Sequence, residues 1–348
     1  MKKHAIVFHS ILFPEGLEWV PVDEFICTMN QKSMNKTTIL ALSLGLIAWG
    51  GVFSIHSQAG DYSVLATAWT IRFGGSSAEK PLEAEALPEQ TWTPLFAGID
   101  FRKAEESDPL QKVCVMRIDT RQEGLLFYTN GRYKDFKEGE RETERTTTAD
   151  FLTENDLNVA VNANFYSPFN AETRTTRGPS NVIGLAVSEG VLVSPSEASY
   201  PAFTVSSNGV ASIGVIRPDE PLEGVRTAVA GNMIVLKEGK VVEQGDKSVH
   251  PRTAVGISQD GRYVYIMTID GRQPTYSIGA TYEEIGRWML EFGAWEALNL
   301  DGGGSTTMVT RDDQGKAKVL NSPVGNANLP GYLRHNANHL GVVLRKAE

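Results

Sequence analysis

Two segments, KVCVMRID (112–119) and RYVYIMTID (262–270), alternate in a way that only a β-strand can use. Successive side chains of a strand point to opposite faces, so a period of two means two differently packed surfaces. Further short runs, NVAVNANF (158–165) and ALNLD (297–301), are apolar enough to be strands buried on both faces. The stretch GVRTAVAGNMIVLKEGKVVEQ (224–244) predicts a hairpin turning at Glu238-Gly239, and SQDGRY (258–263) another turning at Asp260-Gly261. Helical signals are fewer. TYEEIGRWMLEFG (281–293) opens with a Thr281/Glu284 capping box, sets Ile285, Trp288, Met289 and Phe292 on one face, and stops at Gly293. A second helix is expected within TTADFLTEND (147–156). The pattern predicts an α+β fold: a single domain over residues 92–346, built on a mixed, largely antiparallel β-sheet with a few packed helices.

The N-terminal region carries a different signature. From Met34 a lysine precedes an apolar run from Thr38 to Ile55, and Ser57-Gln-Ala59 supplies the small residues of a cleavage site. Residues 34–59 therefore read as a secretory signal peptide, with residues 1–33 upstream of the true start and an uncleaved membrane anchor as the alternative. The expectation is an exported protein, periplasmic or secreted, cleaved near Ala59 and left without a stable membrane span. Residues 60–91, with GGSSAEKPLEAEALPEQ, read as a linker or N-terminal arm.

Export would leave Cys114 as the sole cysteine, which excludes a disulfide scaffold; within its alternating strand it reads as a small buried hydrophobe. A formal net charge of −9 argues against a nucleic-acid partner, since such proteins present a basic face. Oligomeric state is not readable from the sequence.

The common catalytic signatures are missing: no G-x-S-x-G elbow, no HExxH, no CxxC, and no lysine after the glycines of NLDGGGSTTM (299–308) that would make a P-loop. What remains is a set of polar groups at strand ends. Asn162 and Asn164 stand two apart in an apolar run, so their amides share a face and need partners. Arg252 precedes an apolar segment, and Asp270 and Arg272 follow one. Asp301 ends another, ahead of Gly302, Gly303, Gly304, Ser305 and Thr306. Two strand-terminal Asp-Gly steps joined by one helix can set Asp270 and Asp301 at the same sheet edge, and paired carboxylates divide the labour of glycosyl transfer. Each piece also has a plain reading: Asp-Gly is a common turn, and Asn162 and Asn164 can simply satisfy loop backbone. The spacing of His335 and His339 reads as structural rather than as a metal pair.

Taken in order, NVAVNANFY, HPRTAVGISQDG, TIDGRQPTYSIGATYEEIGRWMLEFGA and ALNLDGGGSTTMV resemble the phosphodiester glycosidase family. The resemblance covers roughly residues 92–346, and the chain departs from it at Ala163-Asn164, where many members carry a glycine pair. It implies hydrolysis of a sugar-1-phosphodiester, releasing the sugar and leaving a phosphomonoester, with a glycan or sugar-phosphate as substrate. On that basis Asp270 and Asp301 are the expected catalytic pair. Arg252 and Arg272, with the amides of Gly302–Gly304, are expected to hold the phosphate; Asn162, Asn164 and Ser277 the sugar hydroxyls; Ser305 and Thr306 are further substrate-binding candidates, and Arg334 completes the pocket. No cofactor is required by the sequence. A Ca²⁺ held by carboxylates and carbonyls stays open, as do two other readings: a non-catalytic envelope protein binding sugar-phosphate polymers, and a metal-dependent phosphodiesterase.

Overall fold

The computed structural model describes residues 91–134 and 141–345. The expected upstream segment, signal peptide and nearly all of the N-terminal arm lie outside these residues, as does Cys27. Within them, the architecture is dominated by β-structure, with only two α-helices, Thr148–Glu154 and Tyr282–Phe292. The balance therefore lies further toward β than the expected α+β description.

The largest sheet has eight strands in the order Thr93–Phe96, Ile99–Ser107, Leu110–Asp119, Tyr263–Ile269, Arg252–Ile257, Glu296–Asn299, Met233–Lys237, Lys240–Val241. A five-stranded sheet is built around Ala202–Ser206 and Val225–Ala230. Another five-stranded sheet runs Ala317–Val319, Met308–Arg311, Val159–Asn162, His339–Leu344, Leu125–Thr129, and a small four-stranded sheet contains Thr143–Thr147 and Gly178–Val182. Pairing between strands is antiparallel throughout these four sheets.

Alternation sorts the residues of the large sheet onto two cores. Cys114, Met116, Ile118, Val264 and Ile266 face a core shared with Phe203 and Val229 of one five-stranded sheet and Val161 and Leu340 of the other. Val113, Val115, Tyr265, Met267 and Ile269 face the opposite way, against Ile285, Trp288, Met289 and Phe292. Those four residues are the predicted apolar stripe of the second helix. Its capping box is formed, with the Thr281 side chain accepting from the Glu284 amide and Glu284 reaching back, a device worth about 1 kcal/mol. Gly293 ends it with φ 104°, a left-handed conformation favouring glycine. Burial pushes the Cys114 thiol up to about 12, in keeping with an inert packing residue. Phe151 and Leu152 of the first helix cover Ala160 and Val309. His339 is buried beneath that helix, stacked on Phe151 at 4.7 Å and paired through Nδ1 with Asn130. Among the described residues no helix is long and apolar enough to cross a membrane.

Strand direction decides where chemistry can gather. Arg252–Ile257 pairs antiparallel with Tyr263–Ile269 on one side and with Glu296–Asn299 on the other. Those flanking strands therefore run parallel to each other and end at one edge, where Arg252 begins the central strand. Asp270 and Asp301 both emerge there, as the Asp-Gly spacing predicts.

Candidate active site

A cavity of about 500 Å³ opens at this edge, a volume suited to one small ligand. Its floor is the turn from Asp301 to Gly304, and Asn299, Asn232, Tyr282, Arg252, Arg272 and Arg334 line it. Phe165, Tyr166, Phe169, Arg174, Ile183, Tyr200 and His250 form the rest of the wall.

Asp301 is the only carboxylate among the described lining residues. It is 9% exposed. Burial pushes its carboxyl up to about 6, against the pull of a hydrogen bond to Ser305, the charge of Arg334, the Gly302 amide and Arg272. Its backbone is held from a different sheet. The Asp301 amide donates to Ala163 O at 2.8 Å, and the Asn162 side-chain amide donates to Asp301 O.

Three arginines line the cavity with it, and the charges of two, Arg334 and Arg272, act on its carboxylate. Arg252 is anchored by Nε to Ala280 O and by Nη2 to Ser248 O, both at 2.8 Å, with its guanidinium 4.2 Å from the Tyr282 ring centroid. Arg334 donates to Gly325 O at 3.2 Å and Ser305 Oγ at 3.3 Å. Arg272, at φ 58°, reaches Asn328 Oδ1 at 3.3 Å and His250 Nδ1 at 3.5 Å. Burial lowers Arg272 and Arg334, and the Asp301 charge opposes that in both. Burial, Arg252 and Arg272 together lower His250, which keeps its ring neutral near pH 7. Among the described residues none of the three arginines forms a salt bridge.

The glycines have a reason other than flexibility. A Cβ on Gly303 would come 3.0 Å from Arg272 Nη2, and one on Gly304 would come 2.1 Å from Arg334 Nη2. Side chains are absent there so that two guanidiniums can lie against the loop. The expectation that all three amides face an anion is corrected. The Gly303 amide donates to Pro251 O at 2.8 Å.

Several expected site residues have other partners. Asp270 shares the edge with Asp301 but is not on the cavity wall. Its carboxylate accepts from Asn321 Nδ2 at 2.8 Å and from the Ser322 amide at 2.9 Å, with Tyr276 hydroxyl at 3.3 Å. Burial raises its carboxyl, and these hydrogen bonds work against that. Ser277, fully buried, donates to Asp270 O and accepts from the Lys112 amide, so it closes the loop rather than meeting a ligand. Asn162, fully buried, accepts from Thr253 Oγ1 at 2.8 Å and from the Thr307 amide at 3.1 Å. Asn164 bonds Ile183 O, Leu185 O and the Ala230 amide. Full burial makes both asparagines supports beneath the floor, because their amide groups are taken up by protein. Ser305 touches the floor through Arg334 and Asp301; Thr306, 1% exposed, does not line the cavity.

The residues missed by sequence reasoning fall into two groups. Phe165, Tyr166, Phe169, Arg174, Tyr200 and His250 lie on connecting segments or at strand edges with no periodic signal. Asn232 and Asn299 had a signal: a polar side chain two residues before Asp301 and another opposite it. Asn299 Nδ2 donates to Asn232 Oδ1 at 2.8 Å and Leu300 O at 2.7 Å, and Asn232 Nδ2 donates to the Tyr282 hydroxyl at 2.8 Å. Because Leu300 O can only accept, the orientation of Asn299 is settled, and its Oδ1 has no partner among the described residues. Also among the described residues, no group of three or more His, Cys, Asp or Glu side chains is placed to hold a metal ion.

Solved structures similar to this one include two that match over most of its length. A hypothetical protein from Synechocystis matches with a TM-score of 0.51 and 15% identity over 71% of this chain; the chain spans only 62% of that protein. The zebrafish N-acetylglucosamine-1-phosphodiester alpha-N-acetylglucosaminidase catalytic domain, auto-inhibited by pro-peptide, matches with a TM-score of 0.54 and 16% identity over 73% of this chain and 85% of its own. Such low identities speak for a shared fold. No curated protein sequence matches the chain. The sequence of residues 155–343, more than half of the chain and including Asp301 with all its arginine neighbours, matches the phosphodiester glycosidase family. The chain belongs to the phosphodiester glycosidase family.

Proposed function

We propose that this protein hydrolyses the glycosidic bond of a sugar-1-phosphodiester of the N-acetylglucosamine-1-phosphodiester kind, releasing the sugar and a phosphomonoester. The observation that carries the reading is a buried carboxylate, Asp301, sharing one cavity with Arg252, Arg272 and Arg334. A single carboxylate suits this reaction. The departing phosphate is a good leaving group and needs little proton donation, unlike the alcohol of an ordinary glycoside.

When the bond between the anomeric carbon and the phosphate oxygen breaks, the electron pair goes to the phosphate. The three arginines stabilise that charge. Asp301, ionised, supplies negative charge to the electron-poor anomeric carbon. Water then delivers hydroxide to that carbon, and its proton leaves through Asp301 or the released phosphate. Phe165 and Tyr200, edge to face at 6.3 Å, offer an apolar wall for the ring. The leader-like segment 34–59 supports an exported enzyme acting on envelope or extracellular phosphodiesters.

The test is incubation with a methyl phosphodiester of N-acetylglucosamine 1-phosphate and with UDP-N-acetylglucosamine, each with and without chelator. Free sugar from the wild type and none from Asp301→Asn is expected. Tight binding with no product would instead support a non-catalytic sugar-phosphate receptor. Undiminished turnover by Asp301→Asn would remove the basis of the mechanism.

A further inference from the structure

The cavity holds more positive charge than the proposed reaction needs. Four arginines, Arg174, Arg252, Arg272 and Arg334, line it beside one carboxylate, Asp301. A phosphodiester brings one negative charge. With Asp301 ionised, that leaves two guanidiniums unmatched. Cations in a partly desolvated wall are costly without a counter-charge, so the surplus favours a ligand with more than one negative charge.

The surplus has a direction. Arg334 (7% exposed) and Asp301 lie on the floor, whereas Phe169 is 55% exposed and Arg174 is half-buried, which places the latter two at the mouth. The guanidinium carbons of Arg334 and Arg174 sit 5.1 and 5.5 Å from the Phe169 ring centroid. Phe169 is itself braced edge-on by Tyr166 at 5.6 Å. Positive charge thus continues from floor to rim across one aromatic ring. Arg174 is held at its base by Nε donating to Asn170 O at 3.1 Å, its one side-chain hydrogen bond among the described residues. Its terminal nitrogens remain for a ligand. A sugar whose anomeric carbon meets Asp301 occupies the buried part, so the portion passing Phe169 on its way out is the leaving group.

We propose that Arg174 and Phe169 form a rim subsite for a second anionic group on the leaving group, so that the preferred substrate is a sugar-1-phosphodiester with an acidic aglycone. This rests on the function proposed above. The second charge has two possible sources, a phosphate joined directly to the reacting phosphate or an acid further along the aglycone.

Three substrates separate these cases: a methyl phosphodiester, a pyrophosphate-linked sugar, and a phosphodiester whose aglycone carries a distal phosphate. In low salt, kcat/KM of the wild type for at least one of the two more highly charged substrates should exceed that for the methyl diester by about tenfold, the scale of one charged hydrogen bond. Which one gains identifies the source. The preference should shrink at high salt, because a rim charge is screened. Arg174→Gln should collapse the ratio and Arg174→Lys should retain part of it. Equal use of all three by the wild type overturns the proposal even if Arg174→Gln fails to fold, and so does a preference that survives in a folded Arg174→Gln protein. If nothing is hydrolysed, calorimetric titration with inorganic pyrophosphate and phosphate still decides. Tighter pyrophosphate binding that is lost in Arg174→Gln supports the subsite while the hydrolase reading falls; equal binding overturns both.

Discussion

Gly304 lies against Arg334: a Cβ at residue 304 would stand 2.1 Å from Nη2 and 2.6 Å from Cζ of the guanidinium. The severe conflict is with the far end of a side chain, which can swing away from Ser305 and Asp301, while the backbone Val324 O at 3.0 Å has to give by only a few tenths of an ångström. Gly304→Ala should therefore fold, with a thermal midpoint within a few degrees of wild type. Its kcat/KM should fall about tenfold or more, the effect of removing one charged hydrogen bond from the transition state. Calorimetry with steady-state kinetics checks both halves.

Asp301→Asn should be more stable than wild type at pH 7 while losing activity. The Asp301 carboxyl is raised from 3.8 to about 6, so the folded protein prefers its neutral form. Stability from this group is full below about pH 4 and is lost as pH climbs through about 6. The loss is at most on the order of 3 kcal/mol. An amide removes that loss, so the variant's advantage should build up between about pH 4 and pH 6 and be complete above that. Denaturant titrations at pH 4.5 and 7.5 measure it, and an equal difference at both would contradict the assignment. The same ionisation should give the wild-type kcat/KM an acid limb near pH 6.

Asp270→Asn should behave in the opposite manner. Its carboxylate ties the Asn321-Ser322 segment and does not line the cavity. The expected cost is about 1–3 kcal/mol of stability, with kcat retained within tenfold at a temperature where the variant is folded. A loss of turnover equal to that of Asp301→Asn, in a folded protein, would restore the two-carboxylate pairing.

Asn162→Ala leaves the Thr307 amide and Thr253 hydroxyl without their acceptor and frees Asp301 O. A stability loss of about 2–4 kcal/mol is expected, in line with a buried, fully connected network. Kinetically, kcat should drop while KM stays within a few-fold, because Asn162 positions Asp301. A sugar-binding residue would instead raise KM.

Much of the framework was readable because local rules and tertiary packing agree. The capped helix, its apolar stripe and Gly293 are set by short-range chemistry. The alternation of 112–119 and 262–270 is the demand of two cores on either side of one sheet. The shared edge for Asp270 and Asp301 follows from two strands flanking a third. What the pattern could not show is the direction in which a side chain turns after its strand ends. Asp270 turned to Ser322, a partner 52 residues away, and that choice is made by a loop with no periodicity. Phe169, Arg174, Tyr200 and His250 were hidden for a related reason: they reach the cavity from segments that are adjacent only once the sheets have stacked. Asn162 and Asn164 were legible as amides needing partners, but not which partners they would take.

The Asn162 amide also bears on when the cavity comes into being. Its three hydrogen bonds join it to residues 91, 139 and 145 positions further along the chain. Such distant closures are the slow part of assembling a β-rich protein. A chain emerging from synthesis has no floor beneath Asp301 until residue 307 has arrived, so shortened products ending before that point should be inert however well their first strands pair.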